Sequence, residues 1–251
     1  MAGLIVLMGF VEKQHQELTC TNLDILIKYK SDDYFFVTND INVFLKQKGY
    51  KIKGSTLSNI DAGEIENALY TNPYIEKADV CISIDGNVKI RITHKKPIAK
   101  VFNKYNKSFY IDEKGSLMPS SDNYTARLLV ANGFINDFYN PYTKLNITGS
   151  ISADSTIKKT SIYKVFKTAE FINKNDFWKA MIEEIFVNKN GEIELFTKTG
   201  DQTIIFGDIN NMKEKFDNLY VFYKQILNKI GWKKYKTINL KYKNQIVCSK
   251  I

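Results

Sequence analysis

Between Ala78 and Ile92 the chain alternates with a period of two. Ala78, Val80, Ile82 and Ile84 stand at every second position before Asp85-Gly86, and Val88, Ile90 and Ile92 do so after it. That period fits strands with one face buried and does not fit a helix. The two arms lie too close for anything but a hairpin. A two-residue Asp85-Gly86 turn would set Lys89 opposite Ile82, on the core face. A three-residue loop, Asp85 to Asn87, pairs Ile84 with Val88, Ile82 with Ile90 and Val80 with Ile92. It keeps the apolar residues together, and a one-residue slip would turn them to water. The longer loop is therefore predicted, with Asn87 in the left-handed conformation at its third position.

Upstream, Asp61 and Glu64 form a capping-box-like helix start, with Ile65, Ala68 and Leu69 on the apolar face and a stop before Pro73. Further back, Thr38 is placed to cap a helix carrying Ile41, Phe44 and Leu45 that closes at Gly49. Leu23, Ile25, Ile27 and Tyr29 alternate as a strand. The predicted order over residues 22–95 is strand, helix, helix, strand, strand, which makes a small α+β unit with two helices on one face of the sheet. Lys95-Lys96-Pro97 then reads as a domain boundary, because Pro97 fixes its φ and lacks the donor needed to extend the hairpin. His94, at that edge, reads as a wetted strand-end residue.

Beyond the boundary the pattern is mostly antiparallel β with flanking helices. Strands are predicted at 98–102, 109–112, 117–119, 127–130, 185–188, 192–198 and 202–206, with a loop over 134–155. One helix carries Ile162, Val165, Phe166, Ala169 and Ile172 on one face. A longer one begins at Asn211, with Glu214 in the reciprocal capping position, and ends at Gly231. Two last strands, 236–242 and 245–248, flank Lys243-Asn244.

Composition narrows the function. Of 251 residues, 44% are apolar, enough for folded domains. The net charge is +9, yet arginine occurs only at Arg91 and Arg127, and the lysines are dispersed among acids. Reading of bases or phosphates favours arginine, so a solvated lysine-rich surface is the better reading. Cys20, Cys81 and Cys248 have no metal spacing and read as structural thiols. With only His15 and His94, and no nucleophile elbow, zinc motif or phosphate loop, no catalytic, cofactor or metal site is predicted. Met1 to Val11 is an apolar run ending in polar EKQHQE. It is shorter than the roughly 20 residues of a membrane helix. It reads either as the outer half of such a helix or as a short strand or buried helix, and the abrupt polar exit favours the first.

The ordered motifs IENALYTNPYIEKADV, GNVKIRI, KKPIA, FYIDEKGSLMP and INLKYKNQIV together resemble the FtsQ/DivIB cell-division proteins, in particular those of Bacteroidetes-type bacteria. The resemblance spans about residues 10–250. It implies a partial transmembrane segment at 1–11, a juxtamembrane linker at 12–21, a POTRA domain at 22–96 and an FtsQ-type β domain at 97–251. It also implies a single-pass inner-membrane protein with its bulk in the periplasm, no enzymatic activity, and recruitment of FtsB- and FtsL-type partners. In that family a partner adds a strand near the C-terminal edge. The matching residues here are Leu240, Lys241, Tyr242, Lys243, Asn244, Gln245, Ile246, Val247 and Cys248. Tyr242 falls at the aromatic position beside the partner, Asn244 to Val247 would supply the edge backbone, and Lys241 and Lys243 would meet partner carboxylates. The rival readings are a POTRA-bearing outer-membrane assembly factor and a basic nucleic-acid-binding module. Neither nucleic acid nor a small-molecule substrate is expected as a partner.

Overall fold

The computed structural model describes residues 18–31, 34–121, 124–137, 146–148, 155–200, 202–227, 229, 231–232 and 234–250. The apolar run at residues 1–11 lies outside them. Among the described residues no helix is long and apolar enough to cross a membrane. The chain divides into two compact units, Met1–Lys96 and Pro97–Ile251.

The first unit holds β1 (Asn22–Lys28), α1 (Thr38–Gln47), α2 (Ala62–Tyr70), β2 (Ile75–Ile82) and β3 (Asn87–His94). The sheet order is β1-β3-β2, with β1 parallel and β2 antiparallel to β3. Val88, Ile90 and Ile92 of the central strand are buried, as are Ile41 and Leu45 on α1 and Ile65 and Leu69 on α2. Each such side chain contributes about 1.5–3 kcal/mol relative to exposure. The Asp61 carboxylate caps α2 by accepting the Glu64 N–H at 2.9 Å. Thr38 is instead the first helical residue of α1, and Asp40 accepts the Val37 N–H at 2.8 Å.

The hairpin register differs from the expected one. Val80 pairs with Ile90 and Ile82 with Val88. Ser83 N–H meets Asn87 C=O at 2.8 Å, so the three-residue loop is Ile84 to Gly86. Gly86, at φ 86°, takes the left-handed position that the sequence pattern predicts for Asn87. Both registers keep the same face buried, so the apolar pattern cannot separate them; the glycine's tolerance of positive φ does. His94 also departs from expectation. It is 1% exposed and stacks against Phe35 and Phe36 at 5.5 and 4.9 Å between ring centres. Residues 18–21, expected in a linker, join this unit: Cys20 N–H donates to Ser55 C=O at 2.8 Å and Thr21 N–H to Gly86 C=O at 2.9 Å.

Among the described residues the second unit forms one sheet of nine strands in the order β12-β11-β10-β9-β8-β7-β4-β5-β6. The strands are β4 (Pro97–Phe102), β5 (Ser108–Asp112), β6 (Leu117–Pro119), β7 (Leu129–Gly133), β8 (Ile182–Val187), β9 (Ile193–Thr197), β10 (Thr203–Gly207), β11 (Tyr235–Asn239) and β12 (Val247–Lys250). Its ladders are antiparallel except for β4–β7, β7–β8 and β10–β11. One face is covered by α3 (Ser161–Asn173), α4 (Asp176–Met181) and α5 (Met212–Phe222). The apolar stripes of α3 and α5 join alternate strand residues in a single core, with Phe216 and Leu219 fully buried. The parallel steps place a crossover between their strands, and α5 makes the one from β10 to β11.

Helix α4 has no counterpart among the predicted elements; its cap is Asn175, whose side-chain oxygen accepts the Phe177 and Trp178 N–H groups at 3.0 and 3.2 Å. Asn211 was expected to cap α5. It is left-handed, at φ 51°, and its side chain makes no capping bond. The α-helix stops at Phe222, where one π-helical turn, Tyr223–Leu227, follows. Gly231, at φ 91°, closes that segment by donating to Leu227 C=O at 3.0 Å.

Candidate partner-binding edge

The nine-stranded sheet ends on two strands of different character. β6 is three residues long and ends in Pro119, a form that blunts an edge. β12 is the last strand on the other side and, among the described residues, pairs only with β11.

The register fixes which backbone groups of β12 are free. Leu240 N–H donates to Ile205 C=O at 2.9 Å, and Ile205 is aligned with Asn239. Ile238 and Leu240 therefore direct their backbone groups at β10, while Thr237 and Asn239 direct theirs at β12. Asn239 is opposite Val247, Ile238 opposite Cys248 and Thr237 opposite Ser249. Val247 and Ser249 thus bond back to β11, and the N–H and C=O of Cys248 face away from the sheet.

Side chains follow the same alternation. Ile238 and Leu240 are buried, and Ile246 and Cys248 pack half-buried against the same core. Val247 and Tyr242 stand exposed at 44% and 52%. The Thr237 and Ser249 hydroxyls meet across the ladder at 2.6 Å. Burial raises the pKa of the Cys248 thiol, and burial first, then the nearby Cys248, raises that of Tyr223.

The nine residues singled out in the sequence form one continuous patch with unequal roles. Leu240 anchors the hairpin in the core. Lys241 to Gln245 lie on the exposed connection, turned by Asn244 at φ 61°. The strands expected over 236–242 and 245–248 are observed over 235–239 and 247–250. Asn244 to Ile246 therefore precede the edge strand, and Val247 points its N–H inward. The free donor belongs to Cys248. Ser249 and Lys250, outside the sequence-derived set, complete the strand; the hydroxyl pair with Thr237 is the signal that could have included them.

Lys241 is already engaged. Its ammonium lies 2.6 Å from the Glu192 carboxylate. The bond to Lys241 holds Glu192 below the usual carboxylate range, and the bond to Glu192 raises Lys241. The lysine stem lies against Gly207, where a Cβ would come 2.8 Å from Lys241 Cγ. Beside the connection is a cleft of about 240 Å³ whose wall includes Glu192, Asp208, Glu214 and Lys215. Lys215 is paired with Asp208 at 3.0 Å. Among the described residues no group of His, Cys, Asp and Glu is arranged to hold a metal ion.

The described residues form a small β-α-α-β-β module followed by a β domain that ends on an open strand. Residues 18–93 match a POTRA-like domain, and residues 96–249 match the family described as FtsQ/DivIB, C-terminal related. No curated protein matches the chain. The chain belongs to the FtsQ/DivIB family. That family consists of non-enzymatic cell-division proteins associated with the membrane, and both matched domains fit a division scaffold that works through protein–protein contacts.

Proposed function

We propose that this protein is a divisome scaffold that receives a strand from an FtsB- or FtsL-type partner along β12 during septum formation. The observation that carries the reading is the outward N–H and C=O of Cys248 on the last strand of the sheet. A row of unpaired strand groups is a template for another chain, and main-chain bonds supply affinity without requiring a deep pocket. Exposed Val247 and Tyr242 flank that backbone and offer apolar contact. Lys243 is the rim cation suited to a partner carboxylate, with a contribution of about 0–1 kcal/mol. In this reading residues 1–11 belong to a single membrane anchor, 12–17 lead from it, 18–96 form the POTRA domain and 97–251 the β domain, both in the periplasm. The apolar run Met1 to Val11 and the family support the anchor.

A proline at position 248 removes the outward donor and leaves the β11–β12 ladder intact, whereas Val247→Pro breaks that ladder. Cys248→Pro is expected to weaken binding of an FtsB-type partner by about tenfold or more, while Cys248→Ala keeps the amide and binds within about twofold of the parent. Calorimetric titration of the purified chains measures both. Parent-like affinity in Cys248→Pro, with an unchanged melting curve, overturns the reading.

A further inference from the structure

The chain treats the two edges of its N-terminal sheet differently. On β2 two of the groups facing away from β3 are taken by α2. Val80 N–H donates to Glu66 Oε1 at 2.7 Å, and Ala78 C=O accepts the Tyr70 hydroxyl at 3.2 Å. With Ala78 and Val80 turned out, Asp79 and Cys81 face β3, opposite Arg91 and Lys89. Val88, Ile90 and Ile92 must then direct their backbone groups at β1. In the parallel register this engages Asn22, Asp24 and Leu26, and turns the N–H and C=O of Leu23, Ile25 and Ile27 outward. Just ahead of the strand, Cys20 uses its backbone groups on Ser55 and Gly54: its N–H donates to Ser55 C=O at 2.8 Å and its C=O accepts the Gly54 N–H at 2.8 Å. From Leu23 to Ile27 no such partner occurs among the described residues.

Beside this open edge, α1 and residues 50–53 border a groove of about 540 Å³. Leu23, Leu45 and Ile52 give it an apolar floor, and Lys46, Lys51 and Lys53 stand on its rim. Among the described residues no carboxylate lines it. Among the described residues none of these lysines is in an ion pair. The nearby Asp24 carboxylate lies 4.0 Å from Lys89, on the alternate face of the strand.

We propose that this groove takes an extended acidic segment of a second protein, which adds to β1 as a fourth strand. The partner's backbone pairs with Leu23 and Ile25. Its alternate side chains fall on the floor between Leu23, Leu45 and Ile52, and its carboxylates meet the three lysines. The α2 bonds to Val80 N–H and Ala78 C=O obstruct the β2 edge and leave β1 the more open one. This site is separate from β12 and does not depend on the role given to that strand.

The test uses the full chain and two capped peptides, one alternating glutamate with valine and one alternating lysine with valine. Fluorescence anisotropy should show saturable binding of the acidic peptide and at least about tenfold weaker binding of the basic one. Replacing Lys46, Lys51 and Lys53 by Glu, all on the surface, should reverse that preference. Amide exchange at Leu23 and Ile25 should slow on binding while that at Val80 does not change. Cys248→Pro should leave the peptide affinity as it was. Absence of saturable binding, equal affinity for the two peptides, an unreversed preference in the triple variant, or unaltered exchange at Leu23 and Ile25 each overturns the proposal.

Discussion

Phe216→Ala is expected to destabilise the C-terminal domain by about 4 kcal/mol. The ring is fully buried and meets three others: Phe171 stacks on it at 4.5 Å, and Trp178 and Phe206 lie at 5.0 Å between centres. Those neighbours come from α3, α4 and β10, so no single element can move in to fill the space. Lost transfer energy and a lasting cavity therefore add. Marginal domains hold only about 5–15 kcal/mol in total. The effect reaches the candidate edge, because α5 is the crossover that delivers β11, and β11 holds β12. Urea unfolding should show a lower midpoint at nearly constant slope, and Phe216→Leu should retain most of the stability. A loss under about 1 kcal/mol in the alanine variant would mean that the packing of α5 does not support the sheet in the way described.

Gly133→Ala should be as severe, for a different reason. Gly133 sits at φ 94° at the end of β7, paired with Val187 of β8. A Cβ there would lie 2.3 Å from the Val187 carbonyl oxygen and 3.0 Å from its nitrogen. That same oxygen accepts the Phe134 N–H at 2.7 Å, so it cannot retreat without breaking a bond in the middle of the sheet. The obstacle is backbone, not a movable side-chain tip. The expected loss is about 3 kcal/mol or more, or failure to fold. Gly49→Ala is the control: its φ is 90°, but nothing lies within 4 Å of the added carbon. It should lose only the conformational part, about 1–2 kcal/mol. Equal losses in the two variants, measured by thermal unfolding, would remove the clash as the cause.

Much of this fold is legible in the residues, and the gaps have physical causes. Ala78 to Ile92 announces its hairpin because side-chain alternation reports which face is buried. It is silent on register shifts that preserve the face, and the pairing of Val80 with Ile90 emerged only from the loop geometry around Gly86. Helix α4 escaped notice because six residues give less than two helical turns, too few for a periodic signal. His94 looked wetted beside two lysines and a proline, yet Phe35 and Phe36, distant in sequence, bury it. At the candidate edge the segment was legible and the residue was not. Which amide of Gln245 to Ser249 faces outward depends on Leu240 bonding to Ile205, a contact between strands separated by the α5 crossover. The lysine at 241, free in any reading of the sequence, is held by Glu192 from the β8–β9 turn.

The most direct test is the hydrogen-exchange rate of the Cys248 amide, measured by NMR on the isolated chain and again with an FtsB-type partner bound. A free outer strand group exchanges fast alone and is protected when another strand covers it, while the Val247 amide, bonded to β11, is slow in both states. Protection of Cys248 before the partner is added, or fast exchange that persists in the complex, would contradict strand addition at this edge.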